Sequence, residues 1–90
     1  MVRTLYKESA FRHGFRRHDY REVRRNANVV LRSRRGDRNV YEILGRNDAG
    51  DYLHIVVRRY RQGEDRIELV FHINAMNSAD RKRFRKIIRT

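Results

Sequence analysis

The chain has 90 residues, with 23 Lys and Arg against 11 Asp and Glu, a formal charge of +12, four histidines, and neither cysteine nor proline. That length makes one domain, residues 1–90, near the smallest size that one core can hold together. The composition excludes disulfides and a thiolate zinc site, and no apolar run approaches the ~18 residues of a membrane span.

Apart from Lys7, Lys82 and Lys86, every basic residue is arginine. The planar guanidinium forks onto phosphate and stacks on bases, whereas an ammonium is a point charge. An anionic partner is expected: nucleic acid first, an acidic protein second, a membrane surface a distant third. No pair of histidines has metal-ligand spacing on one helix, so neither a metal nor another cofactor is expected. The opening MVRTLYKESAFRHG lacks the apolar core of a secretory signal, which points to a cytoplasmic protein.

In chain order, Met1 to Tyr6 reads as a short lead. Lys7 to His13 predicts a helical turn or two, ended by Gly14 in a left-handed cap. A second helix is predicted from about His18 to Asn26, with Asp19 in its first turn and arginines in its last, the sense the helix dipole favours. Val29-Val30-Leu31 begins a strand that runs into Arg32, Arg34 and Arg35 and turns at Gly36-Asp37. Asn39 to Gly45 is the next strand, and residues 47–51 (NDAGD) are a strong turn.

Residues 52–76 then form two alternating runs joined at Gln62-Gly63-Glu64-Asp65. Leu53, Ile55 and Val57 share one face of the first run; Ile67, Leu69, Phe71, Ile73 and Ala75 share one face of the second. Keeping these apolar faces together, with a loop at Arg61 to Asp65, sets His54 opposite His72, Arg58 opposite Glu68 and Tyr52 opposite Asn74. Asn77-Ser78 stops the last strand, with Ser78 as the cap of a closing helix and Asp80 in its first turn. Phe84, Ile87 and Ile88 share a face of that helix. The order α-α-β-β-β-β-α predicts an α+β fold: a four-stranded antiparallel meander with two N-terminal helices and one C-terminal helix, packed on one face.

Polar groups gathered on the solvated face of the hairpin carry the chemistry. RNA transesterification needs a base for the 2′-hydroxyl, an acid for the departing 5′-oxygen and positive charge at the phosphate. His54, His72, Arg58 and Glu68 are the candidate catalytic residues, with Asn74 beside them. An ordinary cross-strand pair Arg58–Glu68 with two half-buried histidines has the same sequence. Arg66, Arg81, Lys82 and Arg85 are candidate RNA-binding cations, and Arg32, Arg34, Arg35 and Arg38 extend the basic surface at a hairpin tip. His13 and His18 flank the N-terminal basic run.

The runs RHGF (12–15) and HDYREVRRNANVV (18–30), GRNDAGDYLHIVV (45–57) and INAMNSADRKRFRK (73–86) resemble motifs of the BrnT-like toxins, within the RelE/ParE-like toxin group. The resemblance spans about Phe11 to Lys86. It implies a RelE-like fold, a ribonuclease that halts translation, a cognate antitoxin that is acidic or of the ribbon-helix-helix type, and binding of promoter DNA through the antitoxin complex. His13 matches the family's HG motif and Arg46 its GR motif, and with Asn74 both join the candidate RNA-binding residues. Met76 stands where the family has an arginine, Asn74 where it has serine or, in a variant, histidine, and Leu69 and Phe71 replace alternating arginines. The leading expectation is a type II toxin acting as a metal-independent endoribonuclease on RNA, with mRNA as the target. The alternatives are a non-catalytic basic module that docks on nucleic acid or an acidic protein, and a gyrase-directed toxin of the ParE type.

Overall fold

Short runs of alternating β-branched and aromatic residues become strands wherever one side can be buried. The computed structural model describes residues 1–33 and 38–89. It contains strands β1 (Val2–Tyr6), β2 (Asn28–Arg32), β3 (Val40–Arg46), β4 (Tyr52–Gln62) and β5 (Asp65–Ala75), and helices α1 (Arg17–Arg25) and α2 (Ser78–Ile88). A single 3-10 turn, Glu8–Phe11, stands where the first helix was expected. The expected turn at Gly36-Asp37, and Arg34 and Arg35, lie outside the described residues.

The strands form one sheet in the order β1-β5-β4-β3-β2. The pairs β2–β3, β3–β4 and β4–β5 are antiparallel, while β1 runs parallel to β5, with Val2 beside Arg66 and Tyr6 beside Val70. This corrects the four-stranded antiparallel meander with three helices. The lead segment is a fifth strand, the sheet is mixed, and the described residues form two helices, one near each end of the chain. The parallel pairing joins the two ends of the chain, beyond the reach of any local turn signal.

The helices also pack on opposite faces rather than on one. Ile43 and Leu44 are neighbours on β3 and so point to opposite sides. Ile43 belongs to a cluster with Leu53, Ile55, Val57, Val70 and Ile73, closed by Ala10 of the 3-10 turn and by Tyr20 and Val23 of α1. Leu44 belongs to a smaller cluster with Met76 and Phe84, edged by Val29, Leu31 and Tyr52. The first face carries the main core. On the second, α2 buries Phe84, while Ile87 and Ile88 remain 36% and 44% exposed. The predicted three-residue apolar face of α2 is thus one anchored ring with two exposed neighbours. Asn77, not Ser78, caps α2: its side chain accepts a hydrogen bond of 2.8 Å from the Asp80 amide.

Register in the last hairpin differs from the expectation in one consequential way. Near the turn, Gln62 pairs with Asp65, Arg59 with Glu68 and Val57 with Val70; beyond it, Val56 pairs with His72, Ile55 with Ile73 and His54 with Asn74. Phe71 therefore has no partner residue, and β5 carries a one-residue bulge. Two groups of the N-terminal segment hold the strand there. The Lys7 amide donates to the Val70 carbonyl at 2.8 Å, and the Ser9 hydroxyl donates to the Phe71 carbonyl at 3.0 Å. The bulge inverts the alternation of β5, so Val70 and Glu68 join Ile73 on the α1 face. Accordingly His54 faces Asn74, Arg58 faces Leu69 and Glu68 faces Arg59, in place of the pairs His54–His72, Arg58–Glu68 and Tyr52–Asn74.

α1 sits close on the sheet because β3 offers a glycine. A Cβ at Gly45 would lie 2.8 Å from Val23 Cγ1 and 3.1 Å from Asn28 Cβ. At its start, α1 is tied to the β3–β4 turn through buried Asp19, which accepts from the Arg16 amide at 2.7 Å and from Asn47 Nδ2 at 3.0 Å. Gly45→Ala is expected to push Val23 out of the core and cost about 1–3 kcal/mol. Thermal unfolding should then shift down by roughly 4 °C or more, and an unchanged Tm would show that α1 does not depend on this close approach.

Candidate active site on the α2 face of the sheet

The second face has an uncovered part between α2 and the bulge. Glu42 from β3, His54 from β4, and Phe71, His72 and Asn74 from β5 line it, with Asp80, Arg83 and Lys86 of α2 as its wall; the groove measures about 690 Å³. Strand pairing places each of these groups. Leu44 pairs with His54 and Glu42 with Val56, so Glu42 is one step diagonal from His54 on the same face. His54 pairs with Asn74, and His72 with Val56, so His72 is the diagonal neighbour on the other side. Because of the bulge, Phe71 joins His72 in lining this groove, the two rings 5.3 Å apart.

His54 Nε2 lies 2.7 Å from Glu42 Oε1. The same carboxylate oxygen receives Arg83 Nη2 at 3.4 Å, and that nitrogen also donates to Asp80 at 3.0 Å. The result is a chain Asp80–Arg83–Glu42–His54 that joins α2 to the sheet. Nδ1 of His54 has no hydrogen-bond partner among the described residues. With its side chain 18% exposed, the ring is fixed yet still open to the groove. Burial acts to raise the Glu42 carboxyl, but the hydrogen bond and charge of His54, aided by Arg83, outweigh it and hold the group below its ordinary value. A carboxylate held charged beside one imidazole nitrogen orients the ring and offsets the positive charge that it gains on taking up a proton.

The chain matches no family model and no curated protein.

The structure brings together His54, His72 and Asn74 of the residues expected from sequence. Arg58 shares their face, but four residues along β4 put it about 13 Å from His54, beside Leu69 and Arg38. It fits a neighbouring phosphate rather than the one at His54. Glu68 is excluded from the groove. It is 7% exposed on the α1 face, where the Tyr20 hydroxyl and Arg59 Nε, the latter at 2.9 Å, donate to it. Burial pushes its carboxyl up. Arg66 follows the same inverted alternation to the hairpin tip, and its amide bonds the Met1 carbonyl at 3.0 Å. His13 is exposed after the 3-10 turn, on the far side of the sheet, and His18 is near Asp19 at the start of α1. Lys82 is exposed on α2, and Arg46, Arg81 and Arg85 converge elsewhere, on Tyr52. Met76 is core, between Leu44 and Phe84.

Sequence reading missed Glu42, Arg83, Asp80 and Lys86. Glu42 carried a signal: it is an acid between Val40 and Leu44 on one face of a strand destined for the middle of the sheet. Arg83 and Asp80 lie three apart on a helix, a spacing that lets them pair.

A depressed carboxyl has a definite linkage. Glu42 has a folded value below its unfolded one of about 4.3, so its stabilising contribution is complete above that pH and is lost as pH falls through the folded value. Glu68 has the opposite sign, its contribution present below the ordinary value and lost as pH rises through the raised one. Urea unfolding of Glu42→Gln is therefore expected to show a shallower loss of stability than the parent below about pH 4. Parallel acid limbs for the two proteins would remove the ion pair from the account.

Proposed function

We propose that this protein is an endoribonuclease that cleaves single-stranded RNA by transesterification without a metal ion. The reading is carried by one observation: the Glu42–His54 pair, 2.7 Å apart, opens onto a groove that holds a second histidine and is walled by the cationic helix α2. In the proposed step, His54 Nδ1 takes the proton from a ribose 2′-hydroxyl. The oxygen bonds to the adjacent phosphorus, and the bond from phosphorus to the 5′-oxygen breaks. His72 gives its proton to that leaving oxygen, so the products carry a 2′,3′-cyclic phosphate and a 5′-hydroxyl. Lys86 and Arg83 offset the charge on the non-bridging oxygens, Asn74 donates beside them, and Phe71 offers a ring against which a base stacks.

Under this reading Arg58 and Arg38 receive the next phosphate along the strand. The motif resemblance extends the proposal to biology: a toxin of a toxin–antitoxin pair that halts translation, neutralised by a cognate antitoxin that covers the basic groove. Ribosomal or free mRNA is the substrate class.

The purified protein, incubated with single-stranded RNA in EDTA, is expected to give cyclic-phosphate ends. His54→Ala and His72→Ala should each lower the rate by about 10²–10⁴, and Glu42→Gln by less, since it alters orientation rather than proton transfer. Glu68→Gln, on the opposite face, should leave the rate unchanged. Cleavage undiminished in the double histidine variant would sink the assignment, as would a rate abolished by EDTA.

A further inference from the structure

We propose that Arg46, Arg81 and Arg85, gathered around Tyr52, form a second phosphate-binding site on the opposite flank of α2 from the His54 groove, taking a backbone phosphate of a nucleic-acid strand. The proposal rests on the reading that the partner is RNA, and it adds a subsite that the transesterification does not require.

The guanidinium carbons of Arg46, Arg81 and Arg85 lie 4.7, 4.5 and 5.5 Å from the Tyr52 ring centroid. Two chain segments supply them: the end of β3 gives Arg46, and α2 gives the other two. Among the described residues none of the three forms an ion pair with a carboxylate. Asp48, which lines a cavity with Arg46, Arg85 and Tyr52, is committed to Arg25 at 2.8 Å. Three like charges on one ring repel, and the ring attracts each at an exposed site by only about 0.5–1 kcal/mol. An anion is the missing counter-charge.

The cluster is built rather than accidental in its geometry. Arg46 Nε donates to the Gly50 carbonyl at 3.2 Å. Gly50 has φ +91°, a conformation that strains any L side chain, and a Cβ there would stand 3.1 Å from Arg46 Nη2, so the guanidinium would have to give by a few tenths of an ångström. Tyr52 is in turn set edge-on against buried Phe84, ring centroids 6.1 Å apart. A hydrogen bond from Arg85 outweighs burial at the Tyr52 hydroxyl and, with the charges of Arg46, Arg85 and Arg81, holds it below the usual phenol range. Guanidiniums held by stacking lose little further freedom on binding, and their planar forks match phosphate oxygens. Tyr52 is two residues from His54 on the same face of β4, about 6–7 Å along the strand. The same helix that walls the groove with Arg83 and Lys86 thus presents Arg81 and Arg85 on its other side. That placement near the proposed cleavage groove favours RNA over an acidic peptide.

The test is fluorescence anisotropy of a labelled, short single-stranded RNA with His54→Ala protein, which binds without consuming the probe. Arg81→Gln/Arg85→Gln is expected to raise Kd by on the order of tenfold at low salt. It should also flatten the dependence of log Kd on log salt by about 0.7 for each phosphate that is no longer neutralised. Lys82→Gln/Arg89→Gln removes the same charge from α2 and its C-cap and should change both much less. Tyr52→Leu, which alters no charge, should weaken binding as well, while Tyr52→Phe keeps the ring and most of the affinity; the melting temperature of each variant is read alongside. Equal losses from the two double variants would replace the site with a diffuse field and overturn the proposal. So would loss of affinity for polyglutamate but not for RNA in Arg81→Gln/Arg85→Gln, which would assign the cluster to an acidic protein. RNA binding through this cluster by a protein that shows no cleavage would leave the site standing and remove the nuclease reading.

Discussion

The bulge at Phe71 is the constraint on which the site depends. β5 has to serve two faces with different demands: Ile73 and Val70 must both reach the core under α1, yet they are three residues apart and in a regular strand would point to opposite sides. One extra residue reconciles them. A bulge leaves backbone groups without ladder partners, and such groups are costly when buried. The chain answers locally: Ser9 takes the Phe71 carbonyl and Lys7 the Val70 carbonyl. The N-terminal segment is therefore more than a lead into the domain. By running parallel beside β5 and then turning across it, it fixes the place where the alternation changes sign.

That change of sign sorts the polar residues of β5. Glu68 goes to the α1 face and is satisfied there by Tyr20 and Arg59, a structural role that burial makes stringent. His72 and Asn74 go to the other face, joined by Phe71. The carboxylate beside His54 is consequently Glu42, from the strand on the other side of β4. α2 then converts an open sheet face into a groove. Only Phe84 anchors its middle, and full burial of one such side chain supplies about 1.5–3 kcal/mol. Arg83, next to Phe84, adds a polar tie to Glu42 of the sheet and is itself held by Asp80 of the first turn. Met76 fits the same scheme. It is an apolar plug under α2, packed with Leu44 and Phe84.

Much of this was legible from alternation and turn chemistry. α1, β3, β4, β5 and α2 stand within a few residues of their expected places, because periodicity and caps are local signals. β1 was missed because five residues, VRTLY, become a strand only by pairing with β5 more than sixty residues later. The bulge was missed for a related reason. Ile67, Leu69, Phe71 and Ile73 alternate without fault, and nothing in that run says that Val70 and Glu68 belong to the core side instead. Within the site, His54, His72 and Asn74 were readable as polar groups in an apolar hairpin. Glu42 and Arg83 needed knowledge of which strand lies beside β4 and on which face α2 lands. Both are tertiary facts.

The charge distribution ties the fold to its partners. Among the described lysines and arginines only Arg3, Arg25, Arg59 and Arg83 form ion pairs with carboxylates, against a formal excess of +12 over the whole chain. Arg3 and Arg25 make exposed pairs of little energetic weight; Arg59 and Arg83 hold the two partly buried glutamates in place. The remaining cations repel one another and oppose compaction, and those of α2 lie close to both the groove and the Tyr52 cluster. Under the proposed reading, RNA and a neutralising acidic protein relieve the same repulsion at the same residues. Their competition would then need no conformational change in the protein. A partner that covers α2 on both flanks would mask the His54 groove and the Tyr52 cluster together, and an increase in salt would weaken both complexes in the same direction.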